Sequence, residues 1–137
     1  MENVILFDRE PARTGLLPLT FTRPVADIRV GALTIRQKWE RMLHGTYSWL
    51  TQDYLAVKFG IVNPDDTANL FIAGDVLPDP RLVAMIPMLE EGQALTDAKD
   101  DSVIAFRGSL DGFRKGPKQT APIDVKSVLT VIDIFKL

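Results

Sequence analysis

The chain has 137 residues, no cysteine, 46% apolar and 25% charged residues, and a formal net charge of −2. That is one domain's length with enough apolar content for a sizeable core. It excludes disulfides and thiolate metal sites, and it argues against a nucleic-acid polymer or an anionic membrane as partner. The charge is uneven: residues 1–45 carry seven Arg/Lys against five Asp/Glu, and the remainder nine against thirteen. Cations suited to phosphate are therefore concentrated near the N-terminus. No apolar run nears the ~20 residues of a transmembrane helix, and the first residues lack a signal-peptide pattern. A cytoplasmic protein is expected.

Val4-Ile5-Leu6-Phe7 is a continuous apolar run ending at Asp8, as in a strand buried on both faces of a parallel sheet. Residues 9–33, with Pro11, Gly15, Pro18, Pro24 and Gly31, read as a long loop of the kind that often carries function. Thr34 and Gln37 make a capping-box pattern, and Ile35, Trp39, Met42 and Leu43 share one helical face. Gly45 is the expected stop. Tyr47–Leu50 reads as a second strand, 52–59 as a short helix, and 69–73 as a third buried strand ending at Gly74-Asp75. Asp79-Pro80 opens a helix through about Leu89, with Pro87 awkward in its last turn. Residues 93–97 and 102–107 suit a hairpin around Lys99-Asp100-Asp101, 108–122 a Gly/Pro/Lys-rich loop, and 125–135 mainly a strand. This alternation implies an α/β fold with a mostly parallel sheet, residues 4–7 and 69–73 adjacent inside it, and ligands beyond the carboxyl ends of its strands.

Two constellations lie at that edge. The loop from Thr14-Gly15-Leu16 through Arg23 to Arg29 can aim backbone N–H groups and forked guanidinium donors at phosphate oxygens. The ordinary alternative is a surface loop whose arginines pair with Asp8, Asp27 or water. Gly74-Asp75 can place a carboxylate for Mg²⁺, or serve as an Asx turn or helix cap. His44 suits a helix C-terminus better than catalysis, Trp39 and Trp49 suit the core, and Asp97, Asp100 and Asp101 suit a solvated turn.

The stretch Pro18-Leu19-Thr20-Phe21-Thr22-Arg23-Pro24 resembles the Pro-Leu-Thr-x-x-x-Pro segment of the nucleotidyltransferase signature. Extended through Asp27-Ile28-Arg29-Val30-Gly31 to Thr34, it is similar to a divergent, GlmU-like branch of the sugar nucleotidyltransferases. The resemblance is specific over residues 4–40 and thinner beyond. It implies a Rossmann-like, three-layer domain binding a nucleoside triphosphate and a sugar 1-phosphate with Mg²⁺. Thr14, Gly15, Leu16, Arg23 and Gly74 would bind nucleotide, Arg23 and Arg29 would be catalytic, and Asp75 would hold the metal. The superfamily's Arg falls at Gly15 and its Lys at Val25, so Arg23 and Arg29 must supply the missing charge. Replacing Arg23 with Ala is expected to weaken triphosphate binding by roughly 1.5–3 kcal/mol. The chain is expected to be the incomplete, nucleotide-binding portion of a two-part fold. Alone it would be inactive, needing the sugar-binding half or self-associating, with a homodimer as one arrangement. The rival reading is a non-catalytic nucleotide- or sugar-phosphate-binding module.

Overall fold

Val4–Phe7 form the buried end of β1 (Glu2–Phe7), the second strand of a six-stranded sheet. The computed structural model describes residues 2–10, 12–17, 19–123 and 130–135. β1 pairs in parallel with β4 (Gly45–Leu50) on one side and β5 (Leu70–Ala73) on the other, Val4 opposite both Tyr47 and Leu70. The expected neighbours 4–7 and 69–73 are therefore adjacent and parallel. β5 meets β7 (Val103–Arg107) antiparallel, β7 meets β6 (Gln93–Asp97) antiparallel, and β6 meets β8 (Gln119–Ile123) in parallel. The order is β4-β1-β5-β7-β6-β8. Two reversals restore direction, so every strand of this sheet except β7 runs the same way. The fold is α/β with a mostly parallel sheet.

Side chains in register share a face, and faces alternate along each strand. On the Val4 face, Tyr47 donates its hydroxyl to the carbonyls of Trp39 and Leu43, at 3.1 and 2.6 Å. That places α2 (Ile35–Met42) on this face. On the Ile5–Phe7 face, Phe113 of α4 (Leu110–Lys115) stacks on Phe71 at 4.6 Å between centroids and touches Phe7 and Phe106. Helices thus cover both faces and give the three layers. The core runs through Val4, Ile5, Leu6, Leu70, Phe71, Ile72, Ile104 and Phe106, all buried.

The Thr34–Gln37 capping box is present in full, with Gln37 N–H on Thr34 Oγ1 and Thr34 N–H on Gln37 Oε1. Asp79 caps α3 (Pro80–Met85) with Pro80 just inside. At Pro87 the chain tightens into a 3₁₀ turn, Ile86–Met88, because proline has no N–H for the α-helical ladder. Three expectations are corrected. Gly45 is not a helix stop but the first residue of β4, where an added Cβ would lie 2.4 Å from the Glu2 carbonyl oxygen. Residues 108–122 are not one loop: Ser109 caps α4, and 119–123 add the edge strand β8. Near the C-terminus, Val131–Phe135 is a helix, α5, rather than strand; 125–129 lie outside the described residues. The 9–33 segment carries α1 (Ala12–Gly15), 3₁₀ turns at Leu19–Phe21 and Val25–Asp27, and β2 (Arg29–Val30), which pairs antiparallel with β3 (Leu33–Thr34).

Candidate functional site

The shared direction of β4, β1, β5, β6 and β8 brings their carboxyl ends to one edge of the sheet, together with the start of β7. Asp8 and Arg9 follow β1, Thr51 follows β4, Gly74 and Asp75 follow β5, and Asp97 closes β6. Ligands of α/β sheets bind beyond such an edge.

Arg9 and Asp75 form a fork at its centre. Arg9 donates Nε to Asp75 Oδ1 at 2.7 Å and Nη2 to Oδ2 at 3.2 Å. Its Nη1 donates to the Val103 carbonyl at 3.1 Å and to Ser102 Oγ at 3.3 Å, fixing the guanidinium to β7. The Asp75 side chain is only 5% exposed. Bidentate pairing of this kind is the strong form of a charge-assisted hydrogen bond.

Asp8 lies beside it. Its Oδ1 accepts from the Val25 N–H at 3.0 Å and its Oδ2 from Thr51 Oγ1 at 2.7 Å. Burial pushes its carboxyl above the ordinary 3.8, and the Asp75 charge adds to that; Thr51, the Val25 N–H and Arg13 oppose it. A raised folded value means that the native state holds its proton more tightly than the unfolded chain. Its contribution to stability is full below 3.8 and is lost as pH rises through the folded value. Asp8→Asn removes that loss. In urea melts of variant and wild type across the mildly acid range, the stability difference should move in the variant's favour as pH rises. A difference independent of pH would show that Asp8 ionises as it does in the unfolded chain.

Of the residues expected at the site, Asp75 and Gly74 lie at the edge. An added Cβ on Gly74 would come within 3.1–3.3 Å of Ala26 and the Phe7 carbonyl, so glycine there lets the Val25–Asp27 turn close over the strand ends. Thr14 and Gly15 are exposed on α1. Leu16 is buried and its N–H is bonded to the Ala12 carbonyl, so this segment is a helical turn packed on the core rather than an open cradle of free amides. Arg23 is exposed and, with Thr22, Asp27, Lys58 and Phe59, lines a cleft of about 360 Å³. The cleft sits beside the end of β4, where Trp49 packs edge-on to Phe59 at 5.2 Å and donates Nε1 to Asp27 at 2.8 Å. Arg29 is not brought into that lining; it donates Nη1 to the Ala32 carbonyl at 3.0 Å, within the β2–β3 hairpin. Arg13 reaches the edge from α1, near enough to Asp8 for its charge to be felt there, and pairs through Nε with Glu10 at 3.0 Å. His44 is exposed just past α2, and Lys99 and Ser102 N–H groups bond Asp97 and Asp100 as a turn.

Arg9 and Asp8 do not stand among the expected site residues, nor do Lys58 and Phe59; Asp8 enters the sequence reading only as a partner for the loop arginines. For the first two a signal existed: adjacent charges at the carboxyl end of a fully buried strand stand where a parallel sheet places its site. Lys58 and Phe59 carried none, because only the turn after β4 brings them opposite Arg23.

Mg²⁺, expected at Asp75, does not fit the donors as they are arranged. Mg²⁺ binds through one or two carboxylates together with water and phosphate oxygens. Here both Asp75 oxygens face guanidinium N–H groups and both Asp8 oxygens already accept hydrogen bonds. Among the described residues no three His, Cys, Asp or Glu side chains gather as a metal site, and no helix is long and apolar enough to cross a membrane.

No curated protein and no solved structure matches this chain. A family model described as sugar nucleotidyl transferase matches residues 4–136, which takes in the buried end of β1, the cleft and the whole edge just described. The chain belongs to the sugar nucleotidyl transferase family.

Proposed function

We propose that this chain holds a nucleoside triphosphate at the carboxyl edge of its sheet for nucleotidyl transfer to a sugar 1-phosphate. A phosphate oxygen of the sugar attacks the α-phosphorus, the bond to the β-phosphate breaks, and its electron pair leaves with pyrophosphate. Such a step asks the protein chiefly for position and charge neutralisation. The observation that carries the reading is the family match laid over this edge, where Arg13 stands near Asp8 and Arg23 and Lys58 share a cleft. The arginines supply forked donors for phosphate oxygens, and Phe59 gives the cleft an apolar wall.

A second reading, a nucleotide- or sugar-phosphate-binding module without transfer, is favoured by one feature. The positions where the superfamily carries Arg and Lys hold Gly15 and Val25, and Val25 is a fully buried core residue. Pyrophosphate release from purified chain, with common nucleoside triphosphates and a panel of sugar 1-phosphates, separates the two. Release supports transfer; calorimetric binding of the nucleotide without release supports the module; no binding overturns both. Arg23→Ala should weaken triphosphate binding by about 1.5 kcal/mol, roughly tenfold, at the low end for a charge-assisted bond because the side chain is exposed. Unchanged affinity with the fold intact would remove Arg23 from the site.

A further inference from the structure

We infer that Arg9 takes the place of a divalent cation at Asp75, so that the edge holds no metal there and meets nucleotide phosphates equally well with or without Mg²⁺. The inference rests on the nucleotide reading above for its second half; its first half stands on the geometry alone. A divalent ion at Asp75 needs an open lone pair on one of the two carboxylate oxygens and room for the water and phosphate oxygens that complete its shell. Both carboxylate oxygens are taken at 2.7 and 3.2 Å by one guanidinium, in a position where the carboxylate is nearly closed to solvent. The guanidinium is not a loose surface group waiting to be displaced. Its Nη1 is held by Val103 at the start of β7 and by Ser102 just before it, so it cannot leave Asp75 by a simple side-chain swing without breaking those bonds as well.

Asp8, the carboxylate beside Asp75, also has a donor on each oxygen. An entering Mg²⁺ would also strand Arg9 as a largely buried cation that has lost its partner, a costly state in a water-poor site. A guanidinium already supplies one fixed positive charge at this point of the edge. Arg9 is therefore a positioning residue: it neutralises Asp75 and ties β1, β5 and β7 together. The phosphates are left to Arg23, which is exposed, and to Arg13, which is half-buried and paired with Glu10 at 3.0 Å.

The test uses the full chain and two probes. Mn²⁺ is titrated into wild type and Asp75→Asn, with binding followed by water-proton relaxation. Nucleoside triphosphates are titrated by calorimetry in Mg²⁺ and again in EDTA. Wild type and Asp75→Asn should show the same Mn²⁺ binding, and nucleotide affinity should change by less than about twofold between the two buffers. Arg9→Gln, which frees a carboxylate oxygen, should gain a Mn²⁺ site that Arg9→Gln/Asp75→Asn loses. A wild-type Mn²⁺ site abolished by Asp75→Asn, or a loss of more than about tenfold in nucleotide affinity in EDTA, overturns the inference. Should the Arg9 or Asp75 variants fail to fold, the wild-type titrations decide. Should no nucleotide bind in either buffer, the functional reading falls, while the Mn²⁺ comparison still judges Arg9.

Discussion

Arg107→Met should cost about 3–5 kcal/mol of folding stability, the scale for removing one partner of a buried ion pair. Arg107 sits on β7 in register with Leu70, facing the α2 side of the sheet. It forks onto Glu2 of β1, Nη1 to Oε1 at 2.8 Å and Nη2 to Oε2 at 3.0 Å, across the intervening strand β5. Its remaining donors go to the carbonyls of Leu89, Ala68 and Pro87 at 2.8–2.9 Å. One side chain therefore satisfies a carboxylate and three backbone acceptors, and its own exposure is only 11%. Methionine fills the volume but leaves all four acceptors without a donor, and each buried orphan carries its own desolvation cost. Lysine keeps the charge yet cannot fork, so Arg107→Lys should recover only part of the loss. Adding Glu2→Met to Arg107→Met separates the contributions. If the ion pair dominates, the double variant returns most of the stability; if the carbonyl clamp dominates, it returns little. Urea midpoints for the four proteins decide, and a single-variant loss below about 1 kcal/mol would show that the pair is no more than a surface salt bridge.

What could be read in the sequence follows from what each residue type reports. Val4–Phe7 and Asn69–Ala73 were legible as buried parallel strands because continuous apolar runs ending in Asp have few other uses. The Thr34–Gln37 box and the Asp79-Pro80 cap were legible because caps are local chemistry, satisfied within four residues. Gly45 is the opposite case: it answers to the Glu2 carbonyl, 43 positions away in the chain, not to the helix before it. β8 was hidden because Gln119–Pro122 are exposed on an edge, where polar residues and a proline are tolerated and no alternation is imposed. α5 is a short helix although its β-branched, apolar composition favours strand. At the candidate site, the edge itself was legible, because topology fixes it. The occupant of Asp75 was not: Arg9 reaches it from 66 residues away, and no local pattern announces which of several arginines will make that contact.

The same distance between local signal and tertiary consequence sets the expected result at Trp39. Its indole is completely buried at the core face of α2, and its Nε1 donates to the Val76 carbonyl at 2.9 Å, one residue beyond Asp75. Trp39→Ala removes one of the largest buried side chains and should cost about 3–5 kcal/mol, which threatens folding altogether in a domain with ordinary stability. Trp39→Phe is the informative companion. It keeps most of the aromatic volume and removes the donor, leaving the Val76 carbonyl without its indole partner, so the loss should fall to about 1–3 kcal/mol. The phenylalanine variant also tests whether the helix helps to set the edge. Val76 turns back on Ala73 through its own N–H at 3.2 Å, so the indole bond holds the outer end of the turn that presents Asp75. Releasing it should raise amide exchange at residues 74–76 while α4, on the opposite face, stays protected. Uniform loss of protection across both faces would mean that Trp39 contributes core volume alone and that the Asp75 turn is held by the Arg9 fork without help from α2.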